Sequence, residues 1–185
     1  MPLNIPAGEV ERVSFGQGVL YVGTTPGQTP TTDVGYARGA TLNVTRQKLD
    51  LFQGTPRTLV RTFANQEDLS LQFTGLEWDL QQLKNLLGSG AFVAGPPETL
   101  NFGGRIDFAE VQVYFVHRTP TEGTLEISIW RAQGQGELNL NFGDDFQEFN
   151  YQYRALPGTI DFTGTPITGG VDDLIKVAFE KGAAA

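Results

Sequence analysis

The chain contains no cysteine, one histidine and one methionine among its 185 residues. The absence of cysteine excludes a disulfide framework, a thiolate zinc site and a cysteine nucleophile. A single histidine cannot form a multi-histidine metal site, and no apolar run approaches the roughly 18 residues that a membrane helix needs. We therefore expect no metal, no cofactor and no membrane span, with stability supplied by packing or assembly.

Basic residues are also few, with 13 Lys and Arg against 21 Asp and Glu and a net charge of -8. Because phosphate binding depends on Lys and Arg neutralising backbone charge, this balance argues against specific nucleic-acid binding. The first residues lack a basic leader and an apolar signal core, which predicts an intracellular protein. The length predicts one domain over residues 1–185.

What the chain does contain is strand periodicity. Leu69, Leu71 and Phe73 alternate with Ser70, Gln72 and Thr74, so the apolar side chains share one face of a strand and the polar ones share the other. The same alternation recurs over residues 111–115, 125–130, 138–142 and 149–154. One apolar and one polar face is typical of half-buried antiparallel strands.

One segment changes period and predicts a helix over about residues 79–87. Leu80, Leu83 and Leu87 fall on one helical stripe, Asp79 can accept backbone N–H bonds at the start, and Gly88 can take the left-handed conformation that ends a helix. The expected fold class is therefore mainly β, an antiparallel β-sandwich or barrel with one flanking α-helix.

Residues 47–57 predict a loop that is more apolar than an ordinary solvent loop. It exposes Leu49, Leu51 and Phe52 among charges and a Gly-Thr-Pro turn. Apolar groups on a loop need a partner surface, although folding back onto the subunit's own core is an equal alternative. Residues 23–35 also predict a loop, and residues 88–104 predict a long connection with a short strand near Leu100 to Phe102. Residues 171–182 predict a strand in preference to a helix.

Candidate catalytic groups are few. His117 ends a β-prone run with no nucleophile motif beside it, so we interpret it as a strand-end residue. Asp144-Asp145 and Asp172-Asp173 are adjacent carboxylates, and neither pair has calcium-loop spacing. Adjacent strand residues point opposite ways, which favours a turn at Asp144-Asp145 over a glycosidase pair. We expect no enzymatic activity, with carboxylate-only chemistry left open.

Four segments together resemble the tail tube proteins, or major tail proteins, of long-tailed bacteriophages. They are VLYVG with the later DVGYARGATLNV, LFQGTPRTLVRTF, EDLSLQFTGLEWDLQQLKNLLGSG and FNYQYRALPG, and the resemblance covers most of residues 12–158. It implies a β-sandwich or barrel flanked by one helix. It also implies hexameric rings that stack into a hollow tube, with the sheets of neighbouring subunits continuing into one large barrel around the lumen.

The resemblance further implies a homo-oligomeric virion component, assembled in the host cytoplasm, that acts as the conduit for DNA ejection. DNA would pass through the lumen without specific binding, and the partners would include tape-measure, tail terminator and baseplate proteins. The loop at Leu49, Leu51 and Phe52 is then a candidate contact between rings. The candidate lumen-facing residues are Asn43, Thr45, Gln47, Glu126 and Ser128. Residues 1–11 and 159–185 are candidate assembly arms.

Two other functions fit the same composition. The chain could be a different virion ring component, such as a tail completion or baseplate protein, which would form a single ring. It could also be a carbohydrate-binding β-sandwich that uses Trp130 and nearby polar residues.

Overall fold

The computed structural model describes residues 18–75, 79–103, 108–118, 123–135, 149–167 and 174–180. In chain order its elements are β1 (Gly18–Gly23), β2 (Thr32–Gln53), β3 (Thr58–Gly75), α1 (Leu80–Leu87), β4 (Ala91–Val93), β5 (Thr99–Asn101), β6 (Glu110–Arg118), β7 (Thr124–Gly134), β8 (Phe149–Ala155) and β9 (Lys176–Glu180). The predicted fold class is confirmed, because the described residues form an antiparallel β structure with one helix.

Six strands close into a ring. They follow the order β6-β1-β2-β3-β8-β7, and β7 pairs back with β6. Every pairing is antiparallel. The opposite edge of β7 is divided, since its first half pairs with β9 and its last three residues pair with β8. Closure of the ring satisfies the backbone groups of strand edges that would otherwise be free to pair with other chains.

The core fills this ring with the apolar side of each alternating strand. Leu20, Leu71 and Val113 are fully enclosed, as are Tyr151 and Tyr153. The ring of Phe73 stacks on that of Tyr151 with centroids 4.5 Å apart. Burial raises the pKa of Tyr151 to about 12. On β3, β6, β7 and β8, the apolar faces predicted from the sequence are the faces that point inward.

Helix α1 begins and ends where its sequence predicts. The Asp79 side chain accepts a hydrogen bond from the Gln81 amide at 3.3 Å, and Gly88 ends the helix with a φ of 60°. The predicted apolar stripe needs one correction, because Leu83 and Leu86 are the side chains buried in the core and Leu87 is half-buried. No helix in the described residues has the length and apolar character to cross a membrane.

Three loop predictions are revised and two strand predictions are confirmed. The first loop is shorter than predicted, because β2 begins at Thr32. The connection after the helix contains the β4–β5 hairpin, and β5 confirms the short strand predicted near Leu100 to Phe102. The prediction of a loop over residues 47–57 is wrong for its first half, since β2 continues to Gln53. The strand preferred in residues 171–182 is confirmed as β9.

Several predictions lie outside the described residues. They concern the strand at residues 138–142, both aspartate pairs and the arm at residues 1–11. In the other proposed arm, Ile160 forms a bridge with Pro166, and β9 joins the sheet through β7. Its role in assembly stays a prediction.

The helix lies directly against β7 at Gly134, so Gly134→Ala is expected to destabilise the fold. A Cβ at this position would collide with the carbonyl oxygens of Asn85 and Leu86. Overpacking of this kind costs about 1–3 kcal/mol of unfolding free energy, measurable by urea denaturation. Gly39→Ala is the control, because an added Cβ meets no described atom within 4 Å. Equal stability of the Gly134→Ala variant and the wild type would contradict this account of the packing.

Candidate assembly surface

The hairpin of β2 and β3 extends far beyond the ring of strands. The two strands pair from Ala37 and Gly75 out to Gln53 and Thr58. The neighbouring strands stop early, because β1 pairs with β2 only as far as Tyr36 and β8 pairs with β3 only from Ser70. Residues 46–67, called the ribbon below, therefore have no neighbouring strand on either edge within the described chain. At about 3.4 Å per residue the ribbon projects roughly 30 Å.

Every residue of the ribbon is exposed, and many are apolar. A two-stranded hairpin is marginally stable on its own, because it has no core to bury its side chains. The exposed fractions are 62% for Leu49, 49% for Leu51 and 51% for Phe52, so the alternative that these residues fold back onto the subunit's core is wrong. The rest of the exposed apolar set comprises Leu59, Val60 and Phe63.

The apolar residues are divided between the two faces of the ribbon. Leu49 pairs with Phe63 and Leu51 pairs with Arg61, which places these four on one face, here called the leucine face. Phe52 pairs with Leu59 on the opposite side, here called the Phe52 face. The three predicted contact residues therefore belong to a strand, and they point in two directions. The Arg61 guanidinium lies over the Phe63 ring, 5.0 Å from its centroid.

Two ion pairs hold the root of the ribbon. Glu67 accepts from Arg46 at 2.9 Å across the hairpin, and the next residue, Asp68, accepts from Arg154 of β8 at 2.8 Å. Because successive strand residues point to opposite faces, one pair lies on each side of the sheet. A register shift follows immediately between Gln47 and Lys48. Arg46–Glu67 joins the two strands of the ribbon, and Asp68–Arg154 joins β3 to β8 at the point where lateral strand pairing ends.

The candidate lumen residues of β2 belong to a broad polar face. Asn43 pairs with Ser70, which pairs with Arg154, so the outer faces of β2, β3 and β8 are continuous. Asn43, Thr45 and Gln47 are all exposed on this face. Its other members are Thr41, Gln72, Thr74, Asn150 and Gln152, and Thr74 donates to Asn150 at 3.3 Å. This surface carries mostly amides and hydroxyls.

The other two candidate lumen residues lie elsewhere. Glu126 and Ser128 are on β7, which is three strands away from β2 in either direction around the ring. The two sets therefore do not form one surface within a subunit. Glu126 and Ser128 are half-buried and pair with β9. Burial, with a hydrogen bond to Glu126, raises the pKa of Tyr114 to about 12.

A cavity of about 180 Å³ lies beside Trp130 and is a candidate small-molecule site. Its wall carries an ion pair in which Arg131 donates to Glu110 at 2.6 Å, and this bond holds the pKa of the Glu110 carboxyl below its usual range. Trp130 is only 9% exposed, so its ring offers no open platform for a sugar. The described residues contain no group of three potential metal ligands.

His117 is also embedded in the fold. It is 5% exposed on β6, where its backbone pairs with Gly18 on one side and Leu125 on the other. The sequence interpretation of a strand residue is confirmed, although the residue is more buried than a strand end would suggest.

Comparison with known proteins adds no relative. No protein-family model matches the chain, and no curated protein matches it.

Proposed function

We propose that this chain is the structural subunit of a bacteriophage tail tube, assembling into stacked hexameric rings that conduct DNA. The observation that carries the proposal is the ribbon. It is a long hairpin that projects from the closed strand ring and carries apolar side chains on both of its faces. Within the described chain, no other strand pairs with its edges. Its place in the chain matches the segment LFQGTPRTLVRTF, which is part of the resemblance to tail tube proteins.

The ribbon is suited to assembly for energetic reasons. Exposed apolar groups on a projecting hairpin gain free energy only when another surface covers them, and each half-exposed leucine or phenylalanine contributes on the order of 1 kcal/mol when buried. Leu49, Leu51, Phe52, Leu59 and Phe63 together supply several such contributions. Free strand edges add a reason to pair, because their N–H and C=O groups match those of another strand. Contacts between rings would satisfy both needs.

The sheet of one subunit can continue into the sheet of a neighbouring subunit through strand edges that have no partner within the described chain. Among the described residues, β2 has no outer neighbour beyond Tyr36, β3 has none before Ser70, and β9 pairs with β7 as the last strand of the sheet. On β9, Val177 is 53% exposed and Phe179 is 47% exposed, so covering this strand would also bury apolar surface.

The lumen is assigned to the polar face that holds Asn43, Thr45 and Gln47. A surface of amides and hydroxyls is wetted by water yet lacks the rows of Lys and Arg that grip phosphates, so DNA can slide along it. The net charge of -8 adds a general repulsion between the assembled protein and the DNA backbone. Glu126 and Ser128 would then face a different side of the subunit.

The alternatives receive less support. A tail completion or baseplate protein would share the virion context, but it would form one ring and would not need a ribbon that repeats contacts along a stack. A carbohydrate-binding module would need an accessible aromatic platform, which the nine-tenths burial of Trp130 does not provide. We propose an assembly role without catalysis.

The proposal is tested by replacing two ribbon residues. Purified wild-type protein is expected to form long hollow tubes in negative-stain electron microscopy, while Leu51→Ser with Phe52→Ser should give folded subunits and no tubes, because the covering contacts lose their apolar groups. Val93→Ser is the control, since Val93 is 54% exposed on the separate β4–β5 hairpin. Tubes of unchanged length from the double variant would refute the ribbon's role, and isolated wild-type rings would favour the single-ring alternative.

The lumen assignment is tested with thiol labels, which the absence of native cysteine makes specific. In tubes of the Asn43→Cys variant, a small maleimide should react along the whole length, whereas a streptavidin-sized label should bind only at tube ends. The physical reason is that a lumen only wide enough for a DNA duplex does not admit a label as large as streptavidin. Decoration of the tube wall by the large label would place Asn43 outside, and failure of the small reagent would place it between subunits.

A further inference from the structure

We infer that, beyond Gln47, both faces of the ribbon are covered in the assembled tube, by two different copies of this chain. The inference rests on the proposed function and specifies how the ribbon is used. It assigns the leucine face to one neighbouring copy and the Phe52 face to another, so that each ribbon is a layer between two other subunits.

The distribution of apolar groups is the first argument. On the leucine face, Leu49, Leu51 and Phe63 are 62%, 49% and 42% exposed, and on the Phe52 face, Phe52 and Leu59 are 51% and 50% exposed. A strand pair that lies on one surface typically carries apolar residues on one face and polar residues on the other. The ribbon departs from that pattern, and docking through one face would leave the other apolar set in water.

The size of the ribbon is the second argument. A two-stranded ribbon about 30 Å long and roughly 10 Å wide presents on the order of 300 Å² on each face. A stable protein interface takes about 800 Å² from each partner, so one face falls well short of it. Covering both faces doubles the area that the ribbon buries in the assembly. A flat partner surface reaches only one face, and covering both therefore takes two surfaces.

The charge of the ribbon identifies the partner as another copy of the same chain. Residues 46–67 contain four cations and two anions, a net charge of +2, which leaves -10 for the remainder of a chain whose total is -8. The cationic ribbon is thus complementary to the acidic body of a second copy. Arg46 already pairs with Glu67, whereas neither Lys48 nor Arg57 makes an ion pair within the described part of the chain. Both can meet carboxylates of a neighbour.

The first experiment replaces the apolar side chains of one face at a time. Leu49→Ser with Leu51→Ser alters the leucine face, and Phe52→Ser with Leu59→Ser alters the Phe52 face. Each double variant should raise the protein concentration needed for tube formation at least tenfold, measured by light scattering and microscopy. The free energy of unfolding of the subunit should be unchanged. Val93→Ser is the matched control for an exposed apolar residue. Normal assembly after removal of either face would overturn the inference.

A second measurement does not depend on weakening assembly. Thr58 and Thr62 are exposed residues of β3 that pair with Gln53 and Asp50, on the leucine side and the Phe52 side of the ribbon respectively. Single Thr58→Cys and Thr62→Cys variants should both be alkylated at least tenfold more slowly in tubes than as free subunits. If one of the two thiols keeps its free rate in tubes, that face is uncovered and the inference is wrong.

The partner's identity is tested by charge. Arg57→Glu with Arg61→Glu should abolish tubes at low salt, while Arg118→Glu, the control at an exposed arginine of β6, should not. Tight binding of duplex DNA by the wild type, lost in the ribbon variant while tubes still form, would make nucleic acid the partner and overturn the inference. Absence of wild-type tubes would overturn the proposed function as well, whereas tubes with one dispensable face would overturn only the two-sided contact.

Discussion

The structure depends on a mismatch of strand length. β2 and β3 contain 22 and 18 residues, while the strands beside them, β1 and β8, contain 6 and 7. A ring of strands can hold only the part of a hairpin that its neighbours reach, so the remainder must project. The exposed ribbon follows from this difference, and so does the need for surfaces outside the subunit.

The ring and the ribbon contribute differently to the stability of the subunit and to its assembly. The ring carries the stability of the subunit, because it encloses Leu71, Tyr151 and the buried side of the helix. The ribbon contributes little to that stability and keeps its apolar groups available. Its positive charge and the negative charge of the body then favour the encounter of one subunit with another while leaving the fold of each subunit intact. Assembly can thus proceed from folded subunits without unfolding them.

Sequence patterns predicted the elements whose signals are local. The helix was predictable because Asp79 and Gly88 supply its caps, and the core faces were predictable from alternation. The strand over residues 47–53 was missed because Leu51 and Phe52 are adjacent apolar residues, which break the alternation of a strand with one buried face. The ribbon itself was hidden for a different reason: its exposure is set by where β1 and β8 end, and nothing in the sequence of β2 or β3 records that. The separation of Asn43 from Glu126 likewise depends on the order of strands around the ring.

The central claim is that the ribbon joins subunits into a tube. Its most direct test is a cryo-electron microscopy map of the polymer formed by the purified protein, at a resolution that traces strands. The account predicts a hollow tube of stacked rings in which the ribbon beyond the register shift, residues 48–64, lies in contacts between subunits and Asn43, Thr45 and Gln47 line the lumen. A polymer in which the ribbon projects freely into solvent, or a protein that stays monomeric at every concentration and salt condition tried, would contradict it.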